Sequence, residues 1–274
     1  MTHRLALPRG LALALAWAAT LAFAGAATLA FAQPDASTDG DPFGSFQWPD
    51  LKREFLGGGP VEFDARVKVL GPAFAEDPMN VPISVSADGL RDVERITVLV
   101  DRNPIRKVLE YFPLAALPRV SFRFKLEQAS PVRAAVKTRD GVWHVGGTLI
   151  DSAGGGCTAA GETRRDGSWS RSLGELSARV FPHSVPAGGG EPGTRLRLRL
   201  MHPMDTGLVG GIPAFYVNHL SLRDAGGREL MRLDTHEPVS ENPVFSFDFA
   251  EPPKGRLQLV GTDNNGNRIG GPIE

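Results

Sequence analysis

The chain contains a single cysteine, Cys157, and its neighbours in sequence are small. Gly154, Gly155 and Gly156 precede it, and residues 158–160 (TAA) follow it. A free thiol has an ordinary pKa near 8.5, so about a few per cent of it is nucleophilic thiolate at neutral pH. Because no large apolar residue lies nearby, we expect this thiol to be exposed on a mobile segment. One cysteine also excludes an internal disulfide.

The glycines favour a carrier over a catalyst. A catalyst holds its nucleophile in a fixed geometry, whereas glycines increase conformational freedom. The nearest cations in sequence, Arg164 and Arg165, are seven and eight residues away, and no adjacent histidine forms a Cys-His pair. Fully extended, residues 152–157 would span about 20 Å, and residues 158–172 would supply slack for the thiol to enter a partner's pocket as a loop. The alternative is an incidental cysteine in a glycine-rich linker, although an unused thiol is a liability in an oxidising compartment.

Other motifs carry weaker chemical signals. Met201, His202 and Met204 offer thioether and imidazole groups that suit copper, but the spacing is too common to be specific. We interpret that motif as a strand end and turn.

Residues 263–267 (DNNGN) do not match the EF-hand calcium pattern, and Asn265-Gly266 favours a hairpin turn. The sequence predicts no catalytic residue, no metal site and no cofactor. We interpret the scattered histidines as surface residues or as hydrogen-bonded structural residues: His144, His183, His219 and His236.

The N-terminus predicts export. Arg4 and Arg9 precede a long uncharged stretch, and Ala30-Phe31-Ala32 supplies a cleavage site before Gln33. Residues 1–32 are therefore predicted to be a cleaved signal peptide, with an uncleaved membrane anchor as the alternative. We expect a periplasmic protein that has no membrane contact after cleavage.

Composition limits the partners and the fold. Lys plus Arg is 30 and Asp plus Glu is 31, so no overall field attracts nucleic acid or an anionic membrane. With 32 glycines and 22 prolines, short strands joined by turns are favoured over long helices. The segment 33–59 contains four aromatic residues that a bare linker would not need, and a short helix is predicted near residues 50–56.

Period-two alternation then predicts two strand-rich blocks. Residues 61–69 are predicted to form one half-buried strand, and residues 120–126 place Phe122 inward and Lys125 outward. Residues 151–172 break the alternation. In the second block, an apolar leucine face opposes a row of arginines that either lies in solvent or docks an acidic partner, namely Arg195, Arg197 and Arg199. The predicted fold class is all-β, with two immunoglobulin-like β-sandwich domains in tandem.

A family resemblance rests on these same segments. Residues 81–161, with VPISVSADGL, ITVLVDRNP and GGGC, resemble the SoxY subunit of the sulfur-oxidation carrier. Residues 195–271, with LRLMHPMDTG, IPAFYVNHL and TDNNGN, resemble its partner SoxZ. The chain therefore resembles a SoxY-SoxZ fusion of the type associated with quinoprotein dehydrogenases. The implied organisation is an N-terminal segment (33–59), a SoxY-like sandwich (60–157), a linker (158–172) and a SoxZ-like sandwich (173–274).

By this resemblance, Cys157 is the residue that covalently carries sulfur intermediates, and Gly154, Gly155 and Gly156 form its arm. The family's arm ends in Gly-Gly at a C-terminus, whereas residues 158–160 replace those glycines and the chain continues. We expect a non-enzymatic carrier whose partners are periplasmic redox or hydrolytic enzymes, such as a quinoprotein dehydrogenase or a c-type cytochrome. The alternatives are an accessory module of a quinoprotein alcohol dehydrogenase in which the thiol is incidental, and an enzyme with a base near the sulfur.

Overall fold

The computed structural model describes residues 38–183 and 193–273. The predicted signal peptide lies outside these ranges. Within them, no helix is long and apolar enough to cross a membrane. The described residues are mostly strands arranged in sheets, which confirms the predicted all-β class.

The elements are numbered in chain order. The helices are α1 (Trp48–Phe55), α2 (Glu162–Asp166) and α3 (Trp169–Ser172). The strands of the first block are β1 (Val61–Phe63), β2 (Lys68–Leu70), β3 (Phe74–Ala75), β4 (Val81–Ser86), β5 (Val93–Val100), β6 (Lys107–Phe112), β7 (Arg119–Phe124), β8 (Ser130–Thr138) and β9 (Trp143–Ser152). Those of the second block are β10 (Leu176–His183), β11 (Gly193–Leu200), β12 (Val217–Arg223), β13 (Glu229–Thr235), β14 (Val244–Phe249), β15 (Leu257–Asp263) and β16 (Arg268–Ile273).

Both sheets run through both blocks. The larger sheet has the order β1-β9-β8-β5-β6-β13-β12-β15-β16, with β3 on β9, and the smaller has the order β10-β11-β14-β7-β4-β2. The blocks join at the antiparallel pairs β6·β13 and β14·β7. Each block thus covers two strand edges of the other, which would otherwise present unpaired backbone groups.

The alternation that predicted the second block is confirmed. Leu196, Leu198 and Leu200 of β11 are buried, and the phenylalanines of β14 at 245, 247 and 249 are buried with them in a core that includes residues of both sheets. Each such side chain contributes about 1.5–3 kcal/mol of transfer free energy on burial. Residues 263–267 form the predicted turn between β15 and β16, with the Asp263 carboxylate accepting the backbone N–H groups of Asn265 and Asn267 at 2.9 Å each.

One predicted strand is wrong. Residues 61–69 form two short strands, β1 and β2, that pair in different sheets. The chain turns between them because the Asp64 carboxylate accepts the backbone N–H of Arg66 at 2.8 Å. Phe63, which lies on the apolar face of that predicted strand, is 40% exposed.

The N-terminal segment packs on the first block through a buried arginine. Arg133 of β8 is fully buried and bonds two carboxylates: Nη1 donates to Asp41 Oδ1 at 2.6 Å and Nε to Asp101 Oδ1 at 2.8 Å. The rings of Phe43 and Trp48 lie over its guanidinium at 4.9 and 4.5 Å. Two of the four aromatics of this segment therefore serve this contact, and helix α1 lies close to its predicted position.

Removing one partner of Arg133 should destabilise the fold. We expect Asp41→Asn to lower the free energy of unfolding by about 3 kcal/mol, because the buried guanidinium loses one of its two carboxylate partners. Burial alone raises the pKa of Asp41, but the hydrogen bonds from Arg133 and the Ser45 N–H outweigh it and leave that pKa lowered. The Asp41 carboxylate therefore contributes its full stabilisation when the pH is above the ordinary pKa of an aspartate. That contribution is lost as the pH falls through the lowered pKa of the folded chain.

Urea unfolding at pH 7 measures the effect. Asp50→Asn is the matched control, because Asp50 pairs with Arg53 on the exposed side of α1 and such pairs contribute about 0–1 kcal/mol. Equal losses in the two variants would contradict this role for Arg133.

Candidate functional site

The cysteine arm lies buried between the two blocks. Cys157 is 0% exposed, so the expectation of an exposed thiol is wrong for this structure, while the expected mobility of its segment stays a prediction. The backbone after β9 returns alongside residues 125–127: Gly155 N–H donates to Glu127 O at 3.1 Å and Gly156 N–H to Leu126 O at 3.2 Å. These backbone bonds hold the arm against the end of β7.

The arm glycines are required by fit. A Cβ on Gly156 would overlap the carbonyl oxygens of Pro78 and Leu126. Gly154 and Gly155 have φ values of +96° and +86°, which other residues rarely adopt. Since the same glycines also suit a mobile arm, their presence in the sequence does not distinguish a packed arm from a free one.

Residues of both blocks bond to Cys157. Its N–H donates to Glu127 Oε2 at 2.9 Å, and its thiol lies 3.6 Å from Lys125 O as a weak donor. Its carbonyl oxygen accepts the Thr206 hydroxyl at 2.7 Å. Thr206 belongs to the HPMDTG segment, residues 202–207, so the arm of the first block is capped by the second.

The thiol is unreactive in this position. Burial, together with the negative charge of Glu127, raises the pKa of Cys157 to about 12, and the opposing influence of Lys125 is smaller. At neutral pH the fraction of thiolate is therefore far below that of a free cysteine. A docked Cys157 is protected from oxidation and is also unable to attack.

Lys125 is a buried cation beside the thiol. It is 2% exposed, and its Nζ donates to Met204 O in the HPMDTG segment. The prediction that Lys125 faces solvent is wrong because β7 ends at Phe124, where Lys125 N–H bonds Pro238 O at 2.6 Å and the alternation stops. Burial lowers the pKa of Lys125, while Cys157, Asp205 and Glu241 act in the opposite direction.

The HPMDTG segment is held by its own side chains. His202 Nδ1 accepts the Met204 N–H at 3.1 Å, and Met204 Sδ accepts the Val217 N–H at 3.3 Å. Burial lowers the pKa of His202 to about 4, and its ring lies 4.4 Å from that of Phe215. The imidazole and thioether considered for copper are thus both engaged in fixing the backbone.

The chain after Cys157 is anchored as well. Thr163 N–H of α2 donates to the Glu241 carboxylate at 3.2 Å, and Arg164 pairs with Asp205 while lying 4.2 Å from the Trp169 ring. Only residues 153–161 lie between β9 and α2. A loop of that length would carry its central thiol about 15 Å from its ends, less than the sequence alone suggested.

A second cluster lies elsewhere, on β1, β9 and the turn after β1. Glu62, Asp64 and His144 bring potential metal-ligand atoms within 4.8 Å of one another. Arg66 donates to both oxygens of the Asp64 carboxylate, at 3.0 Å from Nε, and holds its pKa well below the ordinary value. The guanidinium occupies the oxygens that a cation would need.

Two family models match the chain. Residues 52–157 match the model described as sulfur oxidation protein SoxY, and residues 188–270 match that described as sulphur oxidation protein SoxZ. Similar solved structures include the sulfur carrier protein SoxY from Chlorobium limicola f thiosulfatophilum, with 17% identity, a TM-score of 0.35, and coverage of 39% of this chain and 96% of that one. A putative membrane anchored protein from Corynebacterium diphtheriae has 11% identity, a TM-score of 0.24 and coverage of 76% and 57%. No curated protein matches.

The close fit at Gly156 can be tested by alkylation. Gly156→Ala should displace the arm and raise the rate of Cys157 labelling by iodoacetamide about tenfold or more, because the overlap with Pro78 O cannot be relieved in place. Gly155→Ala is the matched control: its Cβ would meet nothing within 4 Å, although its positive φ adds some strain. Urea unfolding of both variants separates local from global effects. A Gly156→Ala rate no higher than that of Gly155→Ala would contradict the docking described here.

The raised thiol pKa predicts a pH dependence of stability. Cys157 stays protonated in the folded chain, while in the unfolded chain it ionises at its ordinary pKa, between about 8.5 and 9.0. The buried neutral thiol therefore contributes fully to the stability of the fold when the pH is below this ordinary pKa, and that contribution is lost as the pH rises toward 12. Between pH 7 and pH 10, the wild type should lose about 1 kcal/mol more stability than Cys157→Ser, as measured by urea unfolding. Parallel losses would show that the folded thiol ionises normally.

Proposed function

Because this chain carries a SoxY domain and a SoxZ domain in tandem, which indicate a sulfur-oxidation carrier, we propose that Cys157 is the residue to which sulfur intermediates are attached. The observation that carries this proposal is the position of Cys157. It is the only cysteine of the chain, it is the last residue of the SoxY match, and it contacts the SoxZ domain through Thr206.

Attachment requires the arm to leave its docked position. The buried thiol has a pKa near 12, and its sulfur is out of reach of a partner's active site. Release breaks the bonds to Glu127, Leu126 and Thr206 but leaves β9 and α2 in place. The released thiol regains an ordinary pKa and becomes able to react.

The chemistry of loading needs a partner enzyme. When the thiol forms an S–S bond with a sulfur anion such as thiosulfate, it loses its proton and the pair loses two electrons. A partner redox enzyme takes up those electrons, since thiol and anion are both reduced. This chain supplies the attachment point, and catalysis belongs to its partners.

The proposed compartment is the periplasm, reached by cleavage of residues 1–32. The support is the basic-then-apolar order of that segment and its Ala30-Phe31-Ala32 site. SoxY and SoxZ proteins work with sulfur-oxidation enzymes. A quinoprotein dehydrogenase or a c-type cytochrome as the specific partner stays a prediction.

Intact mass spectrometry tests the carrier role. The wild-type chain, purified from a host that holds its natural partners and is supplied with thiosulfate, should show added mass that a thiol reductant removes. Cys157→Ser should show none, because the nucleophile is absent. Thr158→Ala, which removes the neighbouring hydroxyl bonded to Glu127, should keep the adduct.

Two outcomes would contradict the proposal. One is the absence of any reducible adduct on the wild-type chain under these conditions. The other is an unchanged growth rate on thiosulfate when Cys157→Ser replaces the wild type, since an incidental thiol could be lost without effect.

A further inference from the structure

A pocket of about 560 Å³ lies on the outer face of the smaller sheet, beside α2. Four guanidinium groups line it: Arg123 of β7, Arg165 of α2, and Arg197 and Arg199 of β11. The strand register explains why three of them meet. Arg197 and Arg199 are opposite Ser246 and Val244 of β14, and continuing the pairing of Ser246 with Ser121 places Arg123 on the other side of Val244.

These four guanidinium groups have no side-chain partner within residues 38–183 and 193–273. Among the described residues, none of them forms a side-chain hydrogen bond or lies within 4.0 Å of a carboxylate, unlike Arg195, which donates to both oxygens of Asp248. The row predicted as one arginine face is therefore divided. Arg195 is paired within the sheet, while Arg197 and Arg199 are exposed and face the pocket.

The carboxylates of the pocket are partly occupied with the backbone. Asp77 accepts the Met79 N–H at 2.9 Å, and both oxygens of Glu241 accept the Thr163 N–H. Burial raises the pKa of Glu241. With Glu162, three carboxylates face four guanidinium groups, so the pocket keeps an excess of positive charge.

We propose that this pocket binds a small tetrahedral oxyanion, the class that includes sulfate, thiosulfate and phosphate. Guanidinium forks donate paired N–H groups in a geometry that matches the oxygens of such anions. A bound dianion also relieves the repulsion between the four like charges.

The pocket shares two walls with the cysteine site. The loop 77–80 lines it and also presents Pro78 O to Leu126 N–H and to Gly156. Glu241 lines it and also anchors Thr163 of α2. The proposed oxyanion would thus be held one loop away from the attachment residue, a position suited to a substrate or product of sulfur oxidation. The proposal itself rests on the pocket and does not depend on the role of Cys157.

Calorimetric titration tests whether the pocket binds an oxyanion. The protein is the full-length chain carrying Cys157→Ser, so that thiol chemistry contributes nothing to the measured heat. Sulfate, thiosulfate and phosphate are titrated separately at low ionic strength, with chloride as the reference anion. We expect one saturable site for at least one of the three, weakened about tenfold or more in the double variant Arg197→Gln, Arg199→Gln. Comparing the three affinities distinguishes a sulfur oxyanion site from a phosphate site.

Arg179→Gln is the matched control. Arg179 is exposed on β10 directly opposite Arg197, but it does not line the pocket, so its loss should leave the affinity unchanged. Equal weakening by Arg179→Gln would show a general effect of surface charge and would overturn the proposal. The absence of saturable binding of all three anions would also overturn the proposal. This includes the case in which the chain instead binds an acidic polypeptide, such as polyglutamate, through these arginines.

Discussion

Burial protects the thiol of Cys157 from oxidation, whereas reaction requires the thiol to be exposed. In this structure the thiol is buried. The side chain of Cys157 is fully buried, with the thiol beside Lys125 O, the N–H bonded to Glu127 of the first domain and the carbonyl oxygen bonded to Thr206 of the second. The desolvation that protects the thiol also raises its pKa and removes the thiolate. Any reaction at this sulfur therefore includes the free energy of opening the arm.

The tandem arrangement makes this burial possible. The first domain alone supplies the groove at residues 125–127, but the cap comes from the HPMDTG segment of the second. That segment is held in place by the bonds that His202 and Met204 make to backbone N–H groups and by the pairing of Arg164 with Asp205. The two continuous sheets fix the segment relative to the groove through β6·β13 and β14·β7.

The strand pattern and the cysteine could be predicted from the sequence, because both depend on local residue types. Alternating leucines and phenylalanines specify the inner faces of β11 and β14 wherever those strands pair. The state of the arm could not be predicted, because glycines permit a free loop and a tightly packed one equally well. Lys125 was misplaced for a related reason: its direction depends on where β7 ends, and that is set by a hydrogen bond to Pro238, more than a hundred residues away. Thr206 and Glu127 carried no local signal at all, since their importance comes from contact with Cys157 in the folded chain.

The rate of Cys157 labelling as a function of low urea concentration tests the account most directly. If the arm opens locally, the free energy of exposing the thiol is smaller than that of global unfolding and nearly independent of urea, because little surface is exposed in the opening. The account predicts this result for the wild-type chain. A labelling free energy that equals the global value and falls with urea at the full slope would contradict it, since the thiol would then be reachable only in the unfolded chain.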